Sequence, residues 1–360
     1  MGDVAAAEPG EQKVAEIQHD FSTLAVYTYK GALTTQVVPR CFVRAAMPQV
    51  LKALFGPRKP HSVFSLTASS EGDFVTMDVA QHTALFGGSA PPSSPNWSCL
   101  YIHEASSGRA GAEISGALSA LCDVLAKARV PVLNVCTLAR NFMLMREEVA
   151  QVALDTLRTA VEQGASSSLG SSSSPSTSPS TAVELDEPPR KRPTLASRGQ
   201  NGASPAGVRI AVAPSTVSIA VATLSVAALQ GCAHAILALY ILRDECARPT
   251  FQHLFEMGGE VSIAFEEAAL DQLRHDAPES AAALEVAIAP TVARGWRLLD
   301  VTAPAGGDGV GILSAVTLPL ASLPLLNIST LDHSYVLVQE AHLETALTKL
   351  KPSFDVVLTN

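Results

Sequence analysis

The sequence predicts an α+β protein built from ferredoxin-like units of βαββαβ order, four of them in two pseudo-repeated halves. Three observations predict it. Residues 130–157 and 323–350 align without a gap and share Pro131/Pro324, Leu133/Leu326, Asn134/Asn327, Thr137/Thr330, Leu138/Leu331, Leu144/Leu337, Glu147/Glu340, Ala153/Ala346, Leu154/Leu347 and Leu157/Leu350. The two tryptophans, Trp97 and Trp296, each open an apolar run (WSCLYIH and WRLLDV) at broadly similar distances upstream. Short strand-like runs then alternate with stretches of helical spacing, which is the order of a split βαβ sheet with helices on one face. A repeat of this length decides the architecture before any single element does.

Residues 1–20 are Ala-, Glu- and Gly-rich and are expected to be disordered. Unit one, 21–95, starts with a strand at 23–29. A helix at 43–55 follows, with Ala46, Val50, Leu51, Leu54 and Phe55 at roughly helical spacing and Gly56-Pro57 to stop it. Strands at 63–66 and 74–79 flank the turn residues 69–73, and a Pro/Ser loop at 88–95 ends the unit. Unit two, 96–163, has a strand at 100–103, a flexible loop at 106–111 and a helix at 114–127. Residues 130–135 are almost continuously apolar and so read as a central strand. The chain turns at 137–141, returns as a strand at 142–145 and forms a helix at 146–157.

Residues 164–207 contain SSSLGSSSSPSTSPST and almost nothing apolar, the composition of a disordered linker. Within it, Pro189-Arg190-Lys191-Arg192-Pro193 has the form of a weak nuclear-localisation signal, and Ser174-Pro175 and Ser178-Pro179 that of phosphorylation sites. Short basic clusters in linkers are more often simply solvated. Unit three, 208–290, reads as a strand at 208–213, a helix at 216–230, strands at 236–242 and 261–265, a helix at 266–273 and an Ala/Glu-rich insert at 277–290. Unit four, 291–360, opens at Trp296 and ends in a strand at 354–358.

At 360 residues, 47% of them hydrophobic and 16% charged, the chain can bury two cores of ordinary size. No apolar run reaches the ~18–20 residues of a membrane-spanning helix. The N-terminal MGDVAAAEPGEQK lacks a signal-peptide pattern, and Ala6 stands where a myristoylation signal wants Ser or Thr. A cytoplasmic protein is expected. The net charge of −9 offers no footprint for nucleic acid. The six cysteines form no CxxC and read as reduced core residues, and the nine histidines are dispersed, so no metal site is expected.

Ala305-Gly306-Gly307-Asp308-Gly309-Val310-Gly311 lies between a strand at 298–300 and a helix at 312–320. Glycines there let backbone N–H groups approach an anionic ligand at a helix start. A turn that needs positive φ explains some of them, but their density favours a ligand loop. The spacing is G-x-G-x-G and not the dinucleotide G-x-G-x-x-G. Thr330, Leu331, Asp332, His333 and Ser334 face this loop in a split βαβ unit and could hold an amino group or a guanidinium. The same residues also make an ordinary tight turn. No catalytic motif or triad spacing occurs.

Tandem units of this order resemble ACT domains, and the four-unit layout with a Ser/Pro linker is similar to the CASTOR (GATS-like) family of cytosolic arginine sensors. The resemblance rests on Phe64-Ser65-Leu66-Thr67, the Trp97 strand, 130–157 and 296–350, notably Ile328-Ser329-Thr330. It implies a non-enzymatic sensor without cofactor, with arginine or another amino acid between units two and four. Ligand binding would control association with a partner complex upstream of TOR, and a homodimer is compatible with exposed sheet edges. Carried over, the binding positions fall on Pro131 and Val132, on Gly306, Ile312 and Leu313, and on Thr330, Leu331, Asp332, His333 and Ser334. The family's serine is here Pro131, its phenylalanine is Leu331, and its aspartate is Ser334. A cationic ligand therefore needs its countercharge from Asp332 or Asp308. The alternative is an interaction scaffold that has lost its ligand site.

Overall fold

The computed structural model describes residues 24–29, 31–38, 47–56, 62–69, 72–86, 96–104, 115–138, 140–169, 207–240, 251–257, 259–303 and 310–359. The first half runs β1 (Leu24–Thr28), β2 (Leu33–Val38), α1 (Met47–Phe55), β3 (Val63–Ser69), β4 (Gly72–Asp78), α2 (Val79–Phe86) and β5 (Trp97–Glu104). It continues through α3 (Ser115–Lys127), β6 (Leu133–Cys136), β7 (Asn141–Arg146) and α4 (Glu147–Leu169). The second half runs β8 (Arg209–Val212), β9 (Ile219–Ser225), α5 (Val226–Gly231), α6 (Ala233–Tyr240), β10 (Phe251–Met257), β11 (Glu260–Glu266), α7 (Glu267–Asp276) and α8 (Pro278–Ile288). β12 (Ala293–Thr302), α9 (Ile312–Thr317), β13 (Leu325–Ser329), β14 (His333–Gln339), α10 (Leu343–Leu350) and β15 (Asp355–Leu358) complete it.

The strands do not segregate into four ferredoxin-like ACT units. All of them hydrogen-bond in one 15-stranded sheet, and the extra pairing of β14 with β12 closes a 12-strand antiparallel barrel. β1 hangs off β5, β8 off β12, and β15 lies parallel on β8. Separate units would each expose unpaired strand edges. Here those edges are consumed, β3 by β10 from Val63↔Met257 to Ser69↔Phe251, and β6 by β13 at Val135↔Ile328. An open edge is a template for pairing, and closure removes it. Local periodicity could not reveal this, because both partners in each joint come from opposite halves.

Each joint pairs like with like. Val135 and Ile328 are matching positions of the repeat, and Leu66 and Leu254 are both the middle residue of their strands. That is the geometry of a two-fold interface within one chain. Inward-facing side chains fill the barrel from opposite walls: Phe142 meets Phe255 at 4.5 Å between ring centroids, and Phe251 meets Tyr335 at 4.9 Å. Alternation along each strand sends the other residues outward, where Phe64, Leu66, Leu254 and Ile263 form a core with Leu54, Leu229, Leu239 and Leu270 of the helices.

Several elements differ from the sequence reading. Residues 216–230, read as a helix, mostly split into β9 and α5, because β-branched Ile219, Val221 and Thr223 favour a strand. The Ser225 side chain then accepts from Ala228 N and starts α5. Residues 236–242, read as a strand, fall largely in α6, which is rich in the helix formers Ala and Leu. The insert at 277–290 is mostly α8, and β10 has no counterpart in the sequence reading. α4 runs to Leu169, into the expected linker. The N-terminal segment and the rest of the linker, with its basic cluster, lie outside the described residues. No helix among the described residues is long and apolar enough to cross a membrane.

Candidate functional site

The turn between β13 and β14 is locked by its own threonine. Thr330 N donates to His333 O at 2.7 Å, and His333 N donates to Thr330 Oγ1 at 3.1 Å. Leu331 and Asp332 form the exposed tip. β13 pairs with β6 at Ile328↔Val135, and Val132, just before β6, packs in the same apolar cluster as Ile328. The strands next to two of the three expected site segments are thus neighbours in the sheet. Thr302 pairs with His333, so the end of β12, where the glycine loop begins, lies beside the same turn.

The third segment arrives through α9, which packs on α3. Ser314 Oγ donates to Asp123 Oδ1 at 3.3 Å, and Ser119 Oγ donates to Thr317 O at 3.2 Å. Leu313 and Val132 pack in one apolar cluster with Ile328, whereas Ile312 packs with Leu299 and Val336. Gly311 holds φ at 81°, a left-handed conformation at the start of α9 that a side chain would strain. Gly306 and Asp308 lie outside the described residues.

The polar groups of this turn already have partners. His333 Nδ1 lies 2.8 Å from Asp300 Oδ1, and its ring stacks on Tyr335. Ser334 belongs to a buried network in which Asn327 Nδ2 donates to Ser334 Oγ at 2.7 Å and Ser329 Oγ donates to Asn327 Oδ1 at 3.0 Å. Ser334 therefore faces this network, and the Thr330 hydroxyl serves the turn. Asp332 is the exposed carboxylate at the tip. Asp300, Asn327 and Ser329 are absent from the sequence-derived set, although the Asn134/Asn327 identity is a signal: an asparagine inside an apolar strand must be hydrogen-bonded.

Burial pushes the Cys99 and Cys136 thiols up to about 12, which leaves no thiolate nucleophile there. Burial also lowers His253 to about 3, with Nδ1 at 2.9 Å from Thr67 Oγ1. Among the described residues no group of three metal-ligating side chains forms. An open apolar hollow of about 540 Å³ lies elsewhere, lined by Ala228, Gly231, Ala282, Ala283, Val286 and Ala287.

No family model and no curated protein matches the chain. Solved structures give weak likenesses. A Vibrio cholerae protein of unknown function, described as a possible transport protein, is 15% identical over 39% of this chain and 93% of that one, with a TM-score of 0.29. The aspartate kinase from Synechocystis is 11% identical over 94% of this chain and 56% of its own length, with a TM-score of 0.29. That from Clostridium acetobutylicum is 15% identical over 41% and 34%, with a TM-score of 0.30. Scores this low carry no argument about fold or function.

Proposed function

We propose that the chain is a non-enzymatic, amino-acid-binding regulator, with the ligand seated where the start of β6, the β13–β14 turn and the chain leading into α9 converge. The observation that supports this reading is the β6–β13 pairing at Val135↔Ile328, which joins the strand that follows Pro131 and Val132 to the strand that precedes Thr330. A ligand held across that joint would favour one arrangement of the halves and so alter binding to a protein partner, as the TOR-linked resemblance suggests. Such control needs different affinity for the two arrangements. The ligand is arginine or another amino acid. Asp332 is the carboxylate best placed to meet its cationic group.

A thermal-shift screen against the twenty amino acids tests this. A ligand present at a hundred times its Kd stabilises by about 2.7 kcal/mol, a rise readily measured. The reading expects such a rise with one amino acid, reduced in Asp332→Ala. Silence across the set from folded protein rejects it.

One observation favours a second reading, an interaction scaffold without a ligand. Ser334 is bound to Asn327, and Pro131 offers neither hydroxyl nor N–H. If arginine binds Pro131→Ser but not the natural chain, the scaffold reading gains.

A further inference from the structure

The outer strand of each half is attached in the same way. β1 lies antiparallel on β5 and β8 antiparallel on β12. Tyr29 N donates to Cys99 O at 2.8 Å, and at the matching place Ala213 N donates to Leu298 O at 3.0 Å. Ladder bonds alternate along an antiparallel strand. Ala25, Tyr27 and Tyr29 therefore address β5, and Val26 and Thr28 turn their N–H and C=O groups outward. The same parity turns Ile210 and Val212 outward from β8.

In the second half that outward edge is covered. β15 adds in parallel, from Asp355↔Arg209 to Leu358↔Val212. Thr359 then donates to Val212 O from its N at 3.0 Å and its Oγ1 at 2.6 Å. Phe354 and Val356 return to the apolar core that α10 covers. The fold itself thus shows what such an edge accepts.

In the first half no described residue takes that place. The repeat puts the counterpart of β15 at residues 162–165, and these continue α4, which runs on to Leu169 where α10 ends at Leu350. The chain is carried past the point at which β15 folds back. Thr28 O is the counterpart of Val212 O, and Tyr27 beside it is 44% exposed.

We infer that the outer edge of β1 docks an extended segment of a partner protein, added parallel to β1 and hydrogen-bonded to Val26 and Thr28. Strand addition of this kind takes affinity from the main chain and specificity from alternate side chains. The segment it fits has the chemistry of β15, with β-branched or aromatic residues on the face that meets the core. This edge lies apart from the Asp332 turn, and docking there does not depend on an amino acid being bound.

The probe is a peptide of the chain's own sequence 353–359, SFDVVLT, added to the full chain while amide exchange is followed by NMR. In the free protein, Val26 and Thr28 amides are expected to exchange quickly and those of Ala25 and Tyr27 slowly. The peptide should slow Val26 and Thr28 at least tenfold, saturably. Thr28→Pro should abolish this without changing Tm, since that N–H does not serve the β5 ladder; Val26→Pro is the second variant if the first unfolds. The inference fails if these amides are already protected in the free chain, which would mean its own residues cover them. It fails also if protection rises with protein concentration, which would mean a second copy does, or if the peptide leaves exchange unchanged.

Discussion

Thr137 and Thr330 lock equivalent turns with the same bonds. Thr137 N donates to Arg140 O at 2.8 Å and Arg140 N to Thr137 Oγ1 at 2.9 Å, as Thr330 and His333 do in the other half. What surrounds the turns differs. Arg140 reaches into the other half and pairs with Glu260 at 3.7 Å, beside a crevice too small for a water molecule. His333 instead pairs with Asp300 of its own half, which leaves the exposed Asp332 at the turn's tip. Beneath the turns, Asn327 is bonded through both polar atoms, whereas Asn134 donates to Cys136 Sγ and its Oδ1 has no partner among the described residues. The two halves share the turn lock and differ in the polar chemistry around it.

The comparison can be broken most severely where the halves meet inside the barrel. Phe255 is fully enclosed and packs on Phe142 of the other half. Phe255→Ala is expected to cost about 3–5 kcal/mol. Because the ring is closed, urea should unfold both halves in one transition; two transitions would separate them.

Acid is the next probe. His253 lies on the β3–β10 joint and is held neutral, lowered to about 3 from the usual 6.5 of histidine. The unfolded chain takes up this proton first. The stability the neutral ring contributes is thus complete above about pH 6.5 and is lost as pH falls toward 3, by up to about 1.4 kcal/mol per unit. Melting curves of His253→Gln should fall less steeply over that window; an equal slope would place the acid sensitivity elsewhere.

The two asparagines give a finer contrast. Asn327→Ala leaves Ser329 and Ser334 only their mutual contact at 3.3 Å and should cost about 1–3 kcal/mol. Asn134→Ala, which removes an asparagine with one unpartnered oxygen, should cost less. Equal losses in denaturant titration would show that the networks are equivalent after all. Smallest is Arg140→Ala, at about 1 kcal/mol or below and fading with salt, because its ion pair with Glu260 is partly exposed.

The repeat is legible in the sequence because shared residues hold matching structural positions. Thr137 and Thr330 lock turns, and Leu144 and Leu337 fill cores. β10 is hidden because Gln252, His253 and Glu256 make that run look polar, although all three are buried in the sheet. Closure of the ring is hidden because no local pattern records which distant edge a strand will meet. At the candidate site the aligned segments lead to neighbouring strands, but the capture of Ser334 by Asn327 depends on side chains across two strands. Spacing carries no sign of that.

The most direct test titrates the stabilising amino acid against the natural chain, Asp332→Ala and Arg140→Ala in parallel. A ligand seated at the Asp332 turn predicts affinity lost at least tenfold in Asp332→Ala and retained in Arg140→Ala. Equal affinity in all three, or binding lost only in Arg140→Ala, would contradict it.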